Sequence, residues 1–297
     1  MTSGILSGTP GGSSHFPAEK LVVLSISFFA ALLFLDHLFG HNPGVFLLLA
    51  SPAVILIFWW LPRGRKKYGP SPVRLFVCSA LPLAGYAYLY RLAGALVHFL
   101  RRPWQDELLV NLDRLIFGFS PNQALSGFQP AWLTELMMIS YLAYLPLVVW
   151  LAYVLFRKQG QAGLQTYTFA LGLAYLTCFV LFILMPAASP RFYFEGLVPE
   201  GGWLFRRLMH LVETSAQYRG GSFPSAHCAA GTVMLYFALK AGKRVAAGVV
   251  PLILLFFLST VYGQYHYGVD VLAGVLIGLL AIPLSVKMLS GRLPGQE

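Results

Sequence analysis

The chain has 297 residues, of which 57% are hydrophobic and 11% charged, and its formal net charge is +10. Soluble domains carry roughly a quarter charged residues, so the composition excludes an ordinary water-soluble protein and points to a polytopic membrane chain. Nucleic acid is not the expected partner of the positive charge, because Lys and Arg fall in short runs between apolar stretches, where basic residues set membrane orientation.

In chain order, residues 1–18 are rich in Gly and Ser and read as a disordered tail. They lack the basic start and short apolar core of a cleaved signal peptide. Crossing the hydrocarbon takes about 20 apolar residues as a helix, and eight stretches qualify: 21–39, 44–62, 74–100, 131–156, 165–185, 224–240, 245–264 and 268–288. No segments of alternating polarity suggest a barrel. The expected fold is therefore all-α, a polytopic helical bundle.

Two longer connections separate these spans. Residues 101–130 contain DELLVNLDRLIF, with Leu108, Leu109, Leu112, Leu115 and Ile116 at helical spacing, which predicts a surface helix with Asp113 and Arg114 on a solvated side. Residues 186–223 contain a second short amphipathic piece, WLFRRLMHLVE. Cys78, Cys178 and Cys228 lie in or beside apolar runs without metal-type spacing and read as small buried hydrophobes.

Eight spans put both termini on one side. That side receives Lys20, Arg63, Arg65, Lys66, Lys67, Arg157, Lys158, Lys240, Lys243 and Arg244 and few acids, so it is expected to be cytoplasmic. Three polar pieces then share the opposite face: SPR with Arg191, GGSFPSAH at 220–227, and YHYGVD with His266 and Asp270.

His266 and Asp270 are four apart and share a helix face. A carboxylate there can fix one imidazole tautomer and leave the other nitrogen free as a nucleophile; the same pair also serves as a tie between two helices. In GGSFPSAH the glycines allow close backbone approach to a ligand. Pro224 suits a helix's first turn, and the N–H groups that follow can bind an anion. Ser222 and Ser225 add hydroxyl donors, and His227 is placed to protonate a leaving oxygen. Arg191 brings permanent charge. No Walker-type glycine loop occurs, so nucleotide use is not suggested.

The order of Arg191, then FPSAH, then HYGVD resembles the type 2 phosphatidic acid phosphatase superfamily over residues 75–288. The branch it is most similar to contains the inositol phosphorylceramide synthases, which carry a segment like DELLVNLDRLIFGFSP. The resemblance implies a six-helix catalytic core over 74–288, two extra transmembrane helices over 19–73 and a short C-terminal tail, 289–297. It implies metal-independent, cofactor-free phosphoryl transfer through a phosphohistidine. His266 would be the nucleophile, Asp270 its orienter, and His227 the general acid and then base. Arg191, Ser222, Ser225 and the backbone of Ala226 would hold phosphate.

Three positions depart from the hydrolase pattern, the first being Ala226, which stands where the pattern has Gly and keeps the N–H. Leu184 stands where the pattern has Lys, and Thr260 where it has Arg. Arg219, three residues before Ser222, is a candidate replacement, and Tyr265 a candidate donor to an acceptor alcohol. With two cations missing, the expected substrate is a phosphodiester lipid. Its headgroup moves to a lipid or polyol alcohol at the outer face of the plasma (inner) membrane, with both termini cytoplasmic. Hydrolysis of a lipid phosphomonoester is the alternative, and a non-catalytic lipid-binding or transport protein the third.

Overall fold

The computed structural model describes residues 17–40, 44–60, 71–215 and 218–290. Most of the expected N-terminal tail, the C-terminal residues from 291, and Arg63, Arg65, Lys66 and Lys67 lie outside the described residues. Within them every regular element is a helix. The order is α1 (Pro17–Leu38), α2 (Val45–Trp60), α3 (Pro72–Ala80), α4 (Pro82–Ala95), α5 (Asp106–Phe117), α6 (Pro121–Ser126), α7 (Ala131–Leu142), α8 (Tyr144–Leu184), α9 (Pro190–Tyr193), α10 (Leu204–Ser215), α11 (Ala226–Ala241), α12 (Lys243–Tyr262) and α13 (Gly268–Leu289).

Among the described residues, five helical stretches are long and apolar enough to cross a membrane: Pro17–Leu38, Pro72–Ala95, Tyr144–Leu184, Lys243–Tyr262 and Gly268–Leu289. Val45–Trp60 is a shorter apolar helix. The third apolar run departs from expectation. Its hydrogen-bond ladder is interrupted at Pro82, which has no N–H, although Leu81 keeps helical φ and ψ, and its helix ends at Ala95 rather than near residue 100.

The 41 residues of α8 form two legs that meet at Gly160, whose φ of 66° and ψ of −158° lie outside the helical region and favour a residue without Cβ. The legs are antiparallel: the Tyr144 hydroxyl meets that of Tyr175, and Tyr167 Oη donates to the Val148 carbonyl at 3.2 Å.

Helix α11 is central, packed against α8, α12 and α13, and most of its residues are buried. α13 approaches it through Gly274 and Gly278. A Cβ on Gly274 would lie 2.3 Å from the Ser225 carbonyl oxygen, and one on Gly278 2.5 Å from that of Ala229. Small residues at such spacing let membrane helices come this close. The outer side of α13 exposes Leu276, Leu279, Leu280 and Leu284, a surface that suits lipid rather than water.

The bundle has two chemically different ends. Lys158 Nζ donates to the Ala241 carbonyl at 2.9 Å, so the Gly160 turn and the α11–α12 turn share one end, with Lys240, Lys243 and Arg244. The start of α11 is at the other end, with α5, α6, α9 and α10.

Candidate active site

Helix α11 begins at Ala226, two residues later than the sequence suggests, so Pro224 precedes the cap instead of occupying the first turn. Ser225 is the N-cap, and its Oγ accepts the Cys228 N–H at 3.2 Å. The N–H groups of Ala226 and His227 have no intrahelical acceptor in this first turn. Ser225 N–H donates to the Asp270 carbonyl at 3.0 Å, which ties the start of α11 to the first turn of α13.

His266 lies in the short loop between α12 and α13, 4% exposed. Its Nδ1 is 2.9 Å from the Ser222 carbonyl oxygen and 3.5 Å from Asp270 Oδ2. A carbonyl only accepts, so Nδ1 carries the proton and Nε2 presents its lone pair. That Nε2 faces His227 Nδ1 at 3.4 Å. Burial pushes the His266 imidazole down to about 4, against the opposing pull of the Ser222 carbonyl, so the ring is neutral near pH 7. The shorter hydrogen bond therefore comes from the Ser222 backbone, which sequence reasoning did not anticipate.

Asp270 acts on the same loop less directly. Its Oδ2 accepts the Ser222 hydroxyl at 2.6 Å and the Tyr267 N–H at 2.9 Å. Ser222 Oγ is thus turned toward Asp270, and also toward the Tyr265 carbonyl at 3.3 Å, and is 2% exposed. On the other side of the pair, His227 Nε2 is 3.3 Å from the Tyr141 hydroxyl. If His227 donates to His266, Tyr141 must donate to His227, which sets one consistent chain of protons.

Arg191 belongs to the same end. Its N–H donates to the Gln264 carbonyl at 2.9 Å, two residues before His266, and its guanidinium lies 5.8 Å from the Tyr265 ring centre. The guanidinium is also 3.4 Å from the Glu213 carboxylate on α10. Tyr265, expected to face an acceptor, instead donates to Glu213 Oε1 at 2.6 Å, and burial with that carboxylate holds its phenol well above the usual range. Arg219 sits at the exposed rim, 5.3 Å from the Trp104 ring and 5.8 Å from the Phe192 ring that also flanks Arg191.

Helix α5 is what holds these loops. Asp113 is fully buried, not solvated: its carboxylate accepts the N–H groups of Gly268 (3.1 Å) and Val269 (2.7 Å) and so caps α13 beside His266. Asp106, two turns earlier on the same face, accepts from Ala188 N–H at 2.8 Å, Ser189 N–H at 3.0 Å and the Tyr267 hydroxyl at 2.7 Å. One helix therefore braces both the Arg191 segment and the His266 loop. Asn122 adds a clamp, its amide donating to the carbonyls of Val261 (3.2 Å) and His266 (3.1 Å). The i, i+7 spacing of the two aspartates within an apolar helix was the available signal for this role.

An all-helical membrane bundle with two imidazoles, a carboxylate and an arginine gathered at one end defines an integral membrane protein with a constellation suited to phosphate esters. A family model described as PAP2 superfamily matches residues 107–284, more than half the chain. The chain belongs to the PAP2 superfamily, enzymes acting on phosphate esters. No curated protein matches it in sequence. Among solved structures it is similar to a chain described as the first transmembrane PAP2 type phosphatidylglycerolphosphate phosphatase from Bacillus subtilis. Identity is 21% and the TM-score 0.45, with 76% of this chain and 98% of that chain covered.

Proposed function

We propose that the protein is a lipid phosphotransferase in which His266 attacks the phosphorus of a phosphodiester lipid. The observation that carries the reading is the His266–His227 pair: one imidazole locked by the Ser222 carbonyl with its Nε2 unprotonated, and the second imidazole 3.4 Å in front of it. In the first step a bond forms between Nε2 and phosphorus, the bond from phosphorus to the lipid alcohol breaks, and His227 protonates the departing oxygen. In the second step His227 takes the proton of an acceptor alcohol, whose oxygen bonds to phosphorus as the N–P bond breaks. Reacting atoms approach to about 3–3.5 Å before bonding, so the two rings must part to admit phosphorus between them. Arg191 and the first-turn N–H groups of Ala226 and His227 face the charge on the non-bridging oxygens.

The charge of the site favours a diester. Leu184 and Thr260 supply no cation, and Thr260 Oγ1 instead donates to the Phe257 carbonyl at 2.7 Å. Family membership keeps hydrolysis of a phosphomonoester as the second reading. An extracytoplasmic site is supported by Lys158, Lys240, Lys243 and Arg244 at the end opposite it, since basic loops stay cytoplasmic.

The test is turnover by the purified protein of headgroup-labelled phosphodiester lipids with added polyol or lipid alcohols, against phosphatidic acid. The label is expected on the alcohol acceptor. Much faster release of inorganic phosphate from phosphatidic acid than of any product from a diester would overturn the transferase reading.

A further inference from the structure

Glu213 is a carboxylate where a phosphate-binding site would be expected to avoid one. Its side chain is 2% exposed, and its Oε2 lies 3.4 Å from Arg191, 3.2 Å from Arg206 and 3.7 Å from His210 Nδ1. Its Oε1 accepts the Tyr265 hydroxyl at 2.6 Å, and Tyr265 packs against Tyr141, the partner of His227. Two side chains, Tyr265 and Tyr141, therefore separate the carboxylate from His227.

The helix that carries it is built to keep it there. α10 turns Leu204, Leu208 and Leu211 outward, and Met209 and Glu213 inward. Its first N–H groups are capped from α7: Glu135 accepts from Trp203 (2.5 Å), Phe205 (2.8 Å) and Arg206 (3.1 Å). Arg206 Nε is held by the Pro199 carbonyl at 2.6 Å. With both ends of the contact fixed, Glu213 is not a side chain that happened to fold inward.

From this we infer that Glu213 is a specificity residue: it cancels part of the charge of Arg191 and Arg206, so that the site takes a phosphate bearing one negative charge and rejects one bearing two. The inference deepens the phosphodiester reading above and rests on it for the identity of the substrate. It does not rest on it for the charge preference, which is a property of the anion site alone. A unit charge about 7 Å away through an effective dielectric of roughly 20 changes binding of one further charge by about tenfold or more.

The experiment compares wild-type protein, Glu213→Gln, and the double variant Glu213→Gln with Arg206→Gln, all in detergent at pH 7.5. Binding is read by ligand-induced thermal stabilisation with inorganic phosphate, mostly dianionic at this pH, and with dimethyl phosphate, a monoanion. Turnover is read with phosphatidic acid and a phosphodiester lipid. Glu213→Gln keeps the shape and an oxygen for Tyr265, and is expected to tighten inorganic phosphate about tenfold relative to dimethyl phosphate and to raise the monoester-to-diester turnover ratio by a similar factor. The double variant restores net charge and is expected to return both ratios toward wild type. Equal loss for both ligands in Glu213→Gln, with no return in the double variant, would make Glu213 a purely structural tie and overturn the inference. Should the binding ratio shift as expected while no lipid is turned over by any form, the inference stands and the transferase reading fails. Should wild type transfer headgroups while neither ratio responds to Glu213→Gln, the inference fails alone.

Discussion

Replacing Asp106 by Ala removes the acceptor of three hydrogen bonds at once. The carboxylate is 1% exposed and takes Ala188 N–H, Ser189 N–H and the Tyr267 hydroxyl at 2.7–3.0 Å. Each buried donor left without a partner costs about 1–3 kcal/mol. Water entering the vacated space offsets part of that sum, so the expected loss is roughly 3–5 kcal/mol, at the upper end of what single substitutions produce. Asp106→Asn retains one acceptor oxygen but turns an amide NH2 toward N–H donors, and is expected to lose roughly 2–3 kcal/mol. The three buried free cysteines, Cys78, Cys178 and Cys228, report unfolding without added labels. A thiol-reactive dye in a thermal ramp of the detergent-solubilised protein therefore gives the stability order wild type, Asn, Ala. Turnover should fall more steeply than stability, because the loops carrying Arg191 and His266 are both hung from this side chain. An Asp106→Ala protein with wild-type melting and wild-type turnover would refute the claim that α5 braces the site.

Other expectations follow from the same geometry. Gly274→Ala puts a Cβ 2.3 Å from the Ser225 carbonyl oxygen and 3.1 Å from the Cys228 Cβ; the forced separation of α13 from α11 should cost about 1–3 kcal/mol, seen as earlier labelling of Cys228 in the thermal ramp, and unchanged melting would contradict it. Tyr141→Phe removes the hydroxyl 3.3 Å from His227 Nε2 and should lower kcat about tenfold with KM little changed; a pure KM effect would move Tyr141 to substrate binding. His266 is held at about 4 against an ordinary 6.5. A depressed histidine means the unfolded chain takes up its proton first, so stability is full above about pH 6.5 and is lost as pH falls through 6.5 toward 4, by about 3 kcal/mol at most. Melting temperatures between pH 7.5 and 4.5 check this, and His266→Ala should flatten that slope.

The apolar runs of the sequence fall on helices because membrane spans are set by length and hydrophobicity, both local properties, but their bounds differ: the run 131–156 divides between α7 and α8, and among the described residues five stretches rather than eight are long and apolar enough to cross. The same holds for the three polar pieces: alternation of spans alone brings Arg191, His227 and His266 to one end, where they are found. What could not be read there is non-local or carried by backbone. Asp113 among leucines looks like a solvated position, since its partners, Gly268 and Val269, are about 155 residues away. The carbonyl of Ser222 that locks His266 has no side-chain signature at all. Glu213 sits in a helix whose Arg206 and Arg207 suggest lipid headgroups, and only the packing of α10 reveals that Arg206 and Glu213 turn inward together. The 74–100 run hid the interruption of its hydrogen-bond ladder because Pro82 is compatible with either a continuing helix or a stop.

The central claim is that His266 carries the phosphoryl group covalently, and rapid quenching tests it most directly. A diester lipid labelled in its headgroup, mixed with enzyme lacking acceptor alcohol and stopped in alkali, should leave label on the protein. The adduct should be stable to base, released by acid, mapped to the peptide containing His266, and absent in His266→Ala. A wild-type enzyme that moves headgroups to alcohols at full rate without any such adduct, or one that traps the label at His227 instead, would contradict the account.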